Sequence, residues 1–225
     1  MTTAEPIWEQ FAQEDPLYYV DMAHTGDTER FWAEGRKSAR DLLRRANPYL
    51  AGADTVTEIG CGVGRLLIPM AHHFRRASGV DVAPTMLKLL RENSRAQGVE
   101  IDAFLPDETW DARENDLIYS KIVFRHIAER SVLKTYVARI AAALKPTGVA
   151  VLDFDTRPKT ISYRLRNRVP DLILPRAWRS GARGTRRSSH TLRRWFADSG
   201  LDVIEERAPE SGAHEFILRP VRTEG

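Results

Sequence analysis

Three sets of residues have types and spacings suited to chemistry. The sharpest is Glu58-Ile59-Gly60-Cys61-Gly62-Val63-Gly64-Arg65, which follows the short run that starts at Thr55. Glycines there let the chain turn tightly and let a ligand approach the backbone. A helix starting next would offer unpaired N–H groups. Asp81 lies 21 residues after Gly60, at the end of a second apolar run. A carboxylate in that place can accept hydrogen bonds from both hydroxyls of a ribose. A glycine turn alone is also compatible with a plain strand–helix connection. Glu58 and Asp81 together favour a ligand.

Glu58 narrows the ligand. A turn built for a pyrophosphate gains little from a carboxylate, because like charges repel. A ligand with an ammonium group gains. S-adenosylmethionine carries a ribose, an amino-acid ammonium and a sulfonium. Position 65 is also arginine where G-x-G-x-x-G would end in glycine, which ranks a nicotinamide or flavin site below a methyl donor site.

The second set is His126 with Asp153 and Asp155. Histidine suits proton removal from a hydroxyl because its pKa lies near neutrality. The two aspartates are candidates to orient His126, to bind acceptor hydroxyls, or to ligate a divalent ion with it. A divalent metal stays open but has no specific support, since two acids and one histidine do not define a site. As plain alternatives, His126 packs or caps the next helix and the aspartates are loop acids. The third set carries no chemistry in this reading. Cys61 is a small packing residue, and His72-His73 diverge on a helix end.

These residues need elements to hold them. Asp27 and Thr28 predict a helix N-terminus, and Asn47-Pro48 ends that helix near Ala46. Phe31, Ala39, Leu42 and Leu43 form its inner face. Strands are expected at 55–59, 78–82, 99–104, 116–120 and 149–153. Helices fall between them at about 65–73 and 84–97, and over the face marked by Val132, Leu133, Tyr136, Val137, Ile140 and Leu144. Pro146-Thr147-Gly148 predicts a turn. A helix over 190–199 and strands at 201–206 and 215–219 complete the chain. Alternation of this kind implies crossovers and a parallel sheet covered on both faces. His126, Asp153 and Asp155 then fall at the carboxyl edge of the sheet, where open parallel sheets bind ligands.

With these motifs the sequence resembles the class I (Rossmann-like) S-adenosylmethionine-dependent methyltransferases, in particular small-molecule and sugar O-methyltransferases. Glu58–Arg65 is similar to their E-x-G-C-G-x-G-R motif, and Gly79–Leu87 to the next. Asp116–Ser120 and Leu144–Gly148 resemble the strand and turn that follow. The resemblance implies an α/β three-layer sandwich with a mostly parallel seven-stranded sheet, an antiparallel last strand and a helical N-terminal lid. It implies S-adenosylmethionine as cofactor. Glu58, Gly60 and Gly62 would surround the methionine part, and Cys61 and Arg65 of the same turn would also belong to the donor-binding set. Asp81 would hold the ribose, with Val82 and Met86 near the adenine. Asp107 would face the adenine edge, although Phe104-Leu105-Pro106-Asp107 departs from the family's glycine–aspartate form. Ser120 and Lys121 would lie beside the methyl-donor end, and Arg36 would pair with the donor's carboxylate. His126 stands where related enzymes carry a histidine pair, with Arg125 at the first place.

Composition sets the outer bounds. The 225 residues are 42% hydrophobic and 29% charged, which suits one globular domain with a small appendage. The expected division is a helical lid over 1–50 and a methyltransferase domain over 51–225. The acidic N-terminus, the single cysteine and the lack of a long apolar run lead us to expect a cytoplasmic protein without a membrane span. Net charge is +3, yet residues 157–194 hold twelve Lys or Arg and one acid, Asp171. The basic stretch 157–189 is expected to be a substrate lid over a hydroxyl acceptor, such as a saccharide. RNA phosphates and an anionic membrane compete for it, and a noncatalytic donor-binding module is the reading from a different class. The absence of an appended RNA-binding motif argues against nucleic acid. A homodimer is left open.

Overall fold

The computed structural model describes residues 5–20, 26–112, 114–166, 169, 184–208 and 213–221. Two short helices, α1 (Glu5–Glu14) and α2 (Pro16–Val20), precede α3 (Thr28–Ala46). Then β1 (Thr55–Ile59), α4 (Leu67–Ala71), β2 (Arg76–Val80), α5 (Pro84–Ala96), β3 (Asp102–Phe104) and β4 (Asn115–Ser120) follow. The second half holds α6 (Arg130–Ala143), β5 (Leu144–Asp155), α7 (Ile161–Arg166), α8 (Ser189–Asp198), β6 (Leu201–Arg207) and β7 (Ala213–Pro220). The strands form a seven-stranded sheet in the order β3-β2-β1-β4-β5-β7-β6. β1 to β5 run parallel, and β7 is antiparallel to both its neighbours. This is the Rossmann-like architecture expected from the motifs.

The core explains the layering. β1 and β4 are buried along their whole length, as central strands covered on both faces must be. One face packs under α6 and α8, with Phe154, Phe196 and Phe216 in mutual ring contact. The other packs under α3, α4 and α5 through Leu42, Leu67, Leu90 and Ile217. In α3 the Asp27 carboxylate accepts from Arg30 N at 2.9 Å, and the buried stripe Phe31, Gly35, Ala39, Leu42, Ala46 repeats at the helical period. A third, smaller cluster sits at the carboxyl edge of the sheet. There Trp8, Ala12, Leu17 and Val20 of α1 and α2 pack on Phe31, Val63, Ala83 and Met86.

Several boundaries differ from expectation for local reasons. β2 ends at Val80 because Asp81 leaves the sheet to accept from Ala83 N, just before Pro84 opens α5. β3 begins at Asp102 because Val99 N is still bonded to Ser94 O at 3.0 Å, at the end of α5. α4 starts at Leu67, since Arg65 and Leu66 still belong to the turn. Leu144 is not part of the α6 face but the first residue of β5. The expected turn at Pro146–Gly148 lies inside that strand as a register jump. Leu144 pairs with Asn115 and Val149 with Leu117, so Lys145–Gly148 loop out. A Cβ on Gly148 would sit 2.4 Å from the Asn115 carbonyl oxygen. Much of the basic segment expected as a substrate lid lies outside the described residues, as does Asp171 within it.

Candidate functional site

The glycine turn joins β1 to α4 and is tied to β2. Gly60 N and Cys61 N both donate to Val80 O, at 2.6 and 3.1 Å. Gly60, Gly62 and Gly64 all have positive φ, at 75°, 51° and 89°. Side chains rarely adopt that conformation, and here there is no room for them either. A Cβ on Gly60 would lie 2.1 Å from Val123 Cγ2, and one on Gly62 2.7 Å from Val20 Cγ2. The turn is therefore covered from two sides: by the segment after β4 and by α2. Gly35 makes a similar close approach from α3, against the backbone and side chain of Arg65.

Two carboxylates flank the turn. Glu58 is 4% exposed at the end of β1, and the Tyr119 hydroxyl donates to its Oε2 at 3.1 Å. Tyr119 reaches it because the parallel register sets Glu58 beside Tyr119. Burial pushes the Glu58 carboxyl well above its usual range; the Tyr119 hydroxyl and the Arg65 charge only partly offset that. Asp81 is half-buried at the end of β2. It accepts from Gly62 N at 2.9 Å and from Ala83 N at 3.0 Å. Burial raises its carboxyl too, against the pull of those N–H groups. Two acids held at raised pKa beside a bare backbone make a pocket wall that favours a cation. This chemistry fits a donor with an ammonium, a sulfonium and a ribose. Glu58 would face the cationic end, and Asp81, at the second strand's carboxyl end, the ribose.

The other expected donor residues spread around this centre. Met86 is buried with Val63 and Ala83, and Val82 is half-buried beside Asp81. Cys61 is 3% exposed, with Sγ against Gly79; burial, Asp81 and Glu58 push its thiol up, which suits packing. Ser120 donates its hydroxyl to Ile59 O at 3.0 Å and so clamps β4 to β1. Arg65 lies over the Phe31 ring at 5.5 Å. Arg36 is exposed on α3, one residue past the close approach at Gly35. Asp107 is exposed in the loop after β3. Arg139 holds that loop through Asp111 at 2.6 Å, through Glu108 O at 2.7 Å and through Pro106 O, while stacking on Trp110 at 4.4 Å.

His126 follows a short 3-10 turn, Val123–Arg125, after β4. Its ring meets the indole of Trp8 edge-on at 5.4 Å, so α1 reaches across to the β4 exit. Asp153 is 1% exposed. It accepts from Ile122 N at 2.7 Å and lies 3.3 Å from Lys121 Nζ. That contact supports Ile122 at φ 72°, a strained conformation for a β-branched residue. Lys121 also contacts Glu215 at 3.0 Å, and Glu215 is held by Arg45 at 2.7 and 3.0 Å. Asp155 receives Arg157 N, Nε and Nη2 at 3.1, 2.9 and 2.6 Å and lies 3.5 Å from Arg186. Those arginines hold its carboxyl below the usual range against the effect of burial. Both aspartates are thus engaged by neighbouring groups. Among the described residues no cluster of three or more His, Cys, Asp or Glu is placed to hold a metal ion.

Sequence reasoning missed Trp8, Val20, Tyr119 as the Glu58 partner, and Glu9. Glu9 accepts from Thr85 N at 3.1 Å and from Thr85 Oγ1 at 2.6 Å, which latches α1 onto the start of α5. An aromatic and an acid on one apolar-faced helix gave a signal for docking but not for where. Among the described residues no helix is long and apolar enough to cross a membrane.

Comparison with known proteins agrees with this geometry. A family model described as a methyltransferase domain matches residues 31–206. A ubiquinone biosynthesis O-methyltransferase from Methylobacterium sp. (strain 4-46) is 33% identical over 104 residues, covering 44% of this chain and 40% of that protein. A ribosomal protein L11 methyltransferase from Thiobacillus denitrificans is 27% identical over 168 residues, covering 66% and 56%. The chain thus spans well under two thirds of the curated relatives it matches. Among solved structures, an S-adenosylmethionine-dependent methyltransferase from Clostridium acetobutylicum superposes with TM-score 0.68 at 15% identity, covering 96% of this chain and 99% of that one. Magnesium protoporphyrin IX methyltransferase from Synechocystis, with bound S-adenosylhomocysteine, gives 0.65 at 17% identity, covering 97% and 100%. At these identities the structural likeness speaks for the fold alone. With the family match spanning most of its length, the chain belongs to the methyltransferase-domain family, the class I S-adenosylmethionine-dependent methyltransferases.

Proposed function

We propose that this chain transfers the methyl group of S-adenosylmethionine to a hydroxyl oxygen of a small-molecule acceptor, such as a saccharide or another biosynthetic intermediate. The observation that carries the reading is that two groups of polar residues share one sheet edge. Glu58 and Asp81 flank a bare glycine turn, and His126 stands at the exit of the adjacent strand β4 beneath Trp8. When bound, the donor supplies a methyl group already activated on a sulfonium, so the protein's work is alignment and proton removal. Glu58 would face the ammonium end, Asp81 the ribose hydroxyls, and Met86 and Val82 the base. His126 would take the acceptor's proton as its oxygen attacks the methyl carbon in line with the departing sulfur. Trp8 against His126 and Val20 against Gly62 support a small acceptor, because they bring α1 and α2 close over the turn and the exit of β4.

Incubation with methyl-labelled donor and a fractionated metabolite extract, followed by mass spectrometry, tests this. Label in a small hydroxylated metabolite is the expected result. Label only in RNA or in protein would replace the reading with a macromolecular acceptor. Donor turnover without any labelled product would favour a noncatalytic module.

A further inference from the structure

His126 is held by two segments far from it in sequence. Its ring packs against Trp8 of α1 at 5.4 Å. Its backbone is stitched on both sides to residues 185–187, which lead into α8. Thr185 N donates to Arg125 O at 2.5 Å. The Arg187 guanidinium donates through Nη2 to Ile127 O at 2.5 Å and to Ala128 O at 3.1 Å. The same short segment is fixed to the exit of β5. Arg187 N donates to Asp155 O at 2.9 Å, Arg186 forms a parallel bridge with Asp155, and the Arg186 side chain lies over the Tyr163 ring at 4.6 Å.

Arg187 is unusual among these arginines. It is 8% exposed, its Nη1 is buried without an acceptor, and no carboxylate among the described residues pairs with it. Arg157 and Arg186 share Asp155, but among the described residues Arg187 meets two carbonyls and the Trp195 ring, 6.0 Å from its Cζ. A buried charge held mainly by backbone oxygens is a costly arrangement. It stabilises one thing specifically: the path of the chain through Ile127 and Ala128, directly after His126.

We infer that Arg187 is a positioning residue for His126, joining the exit of β5 and the start of α8 to the loop that presents the proposed base. It acts through the backbone and does not touch the reacting atoms. The inference rests on the reading of His126 as base for its catalytic consequence, but its structural content stands apart from that reading.

The test uses the full chain with labelled histidine, saturated with S-adenosylhomocysteine, and follows imidazole resonances by NMR. The chain has six histidines, and loss of one signal set in His126→Gln assigns the resonance. Arg187→Met should shift or broaden the His126 ring signals while those of the exposed His72 and His73 stay in place. Arg187→Lys, which keeps the charge and can reach one carbonyl, should give an intermediate position. In the labelled-methyl assay, Arg187→Met should cut kcat about 10- to 100-fold, the scale expected from misplacing a reacting group by about 1 Å, with donor affinity within about twofold of wild type. Lysine should restore part of that loss. His126 signals that coincide in wild type and Arg187→Met overturn the proposal. So does a parallel fall of kcat and donor affinity in both variants, which marks a merely structural arginine. If Arg187→Met does not fold, Arg187→Lys decides alone: a His126 signal identical to wild type refutes the inference, and a displaced one supports it. Retained turnover in His126→Ala would defeat the proposed base without altering the NMR result.

Discussion

Replacing Glu58 with glutamine should move stability and donor affinity in opposite directions. The side chain is 4% exposed, and burial holds its carboxyl well above the usual range. An acid whose folded pKa exceeds its unfolded value makes folding take up a proton in the window between them. Stability therefore falls as pH rises through that window, and the loss is complete above the folded pKa. One proton corresponds to about 1.4 kcal/mol for each pH unit of that window. Glutamine keeps the shape and can still accept from Tyr119, whose hydroxyl donates to Glu58 at 3.1 Å, but it has no charge to bury. The ligand-free variant should then unfold higher than wild type near neutral pH, by about 2–4 °C for each kcal/mol of that cost removed, with no advantage at the acid end. Donor binding should weaken, because a charge-assisted contact to the ammonium is lost. A charged hydrogen bond is worth about 1.5–3 kcal/mol, or roughly a 10- to 150-fold rise in Kd. Wild-type affinity should also fall as pH drops and Glu58 is protonated, and the variant should lack that dependence. Calorimetric titration with S-adenosylmethionine, together with thermal unfolding across pH, reads both effects. Unchanged donor affinity, or a variant destabilised at neutral pH, would refute the reasoning.

Asp81→Ala removes the group proposed for the ribose and also frees Gly62 N and Ala83 N, so Kd for the donor should rise by at least about tenfold; calorimetry giving wild-type affinity would discard the ribose assignment. His126→Ala should lower turnover by about 10²- to 10⁴-fold, the usual range for a general base, and leave donor affinity nearly unaltered. Normal turnover of a hydroxyl acceptor by that variant would remove His126 as base. Ile122→Gly relieves a positive φ of 72° at a residue that is 46% exposed, and the net gain of about 0.5–1 kcal/mol should raise the midpoint by roughly 2 °C. A lower midpoint would mean the Ile122 side chain contributes more than its conformation costs.

What could be read from sequence follows the range of the interactions. The helix α3 was legible, because Asp27 caps it locally and its regular turns give way after Ala46 to a short 3-10 turn at Asn47-Pro48-Tyr49. The glycine turn, Glu58 and Asp81 were legible for the same reason: positive φ, strand ends and a spacing fixed by one βαβ crossover are short-range properties. The number of strands and the antiparallel last strand followed from the family resemblance rather than from any pattern of residues. The partners of site residues were not legible. Trp8 and His126 stand 118 positions apart, and Glu58 and Tyr119 meet only through strand register. Asp153 and Asp155 read identically as free acids after a strand. Two residues apart in β5, they share a face but sit at different heights along it: Asp153 meets Lys121 and the bent backbone at Ile122, and Asp155, at the strand's last position, meets the arginines of the following segment. Arg187 lay in a run of positive charge that gave no sign of which arginine would be buried.

The central claim is that the bare bend after β1 cradles the methyl donor between two acids. A crystal of the purified chain grown with S-adenosylhomocysteine tests it most directly. The account predicts the amino-acid end beside Glu58 and both ribose hydroxyls within hydrogen-bonding distance of Asp81. Ligand density elsewhere on the protein, or none at saturating concentration, would contradict it.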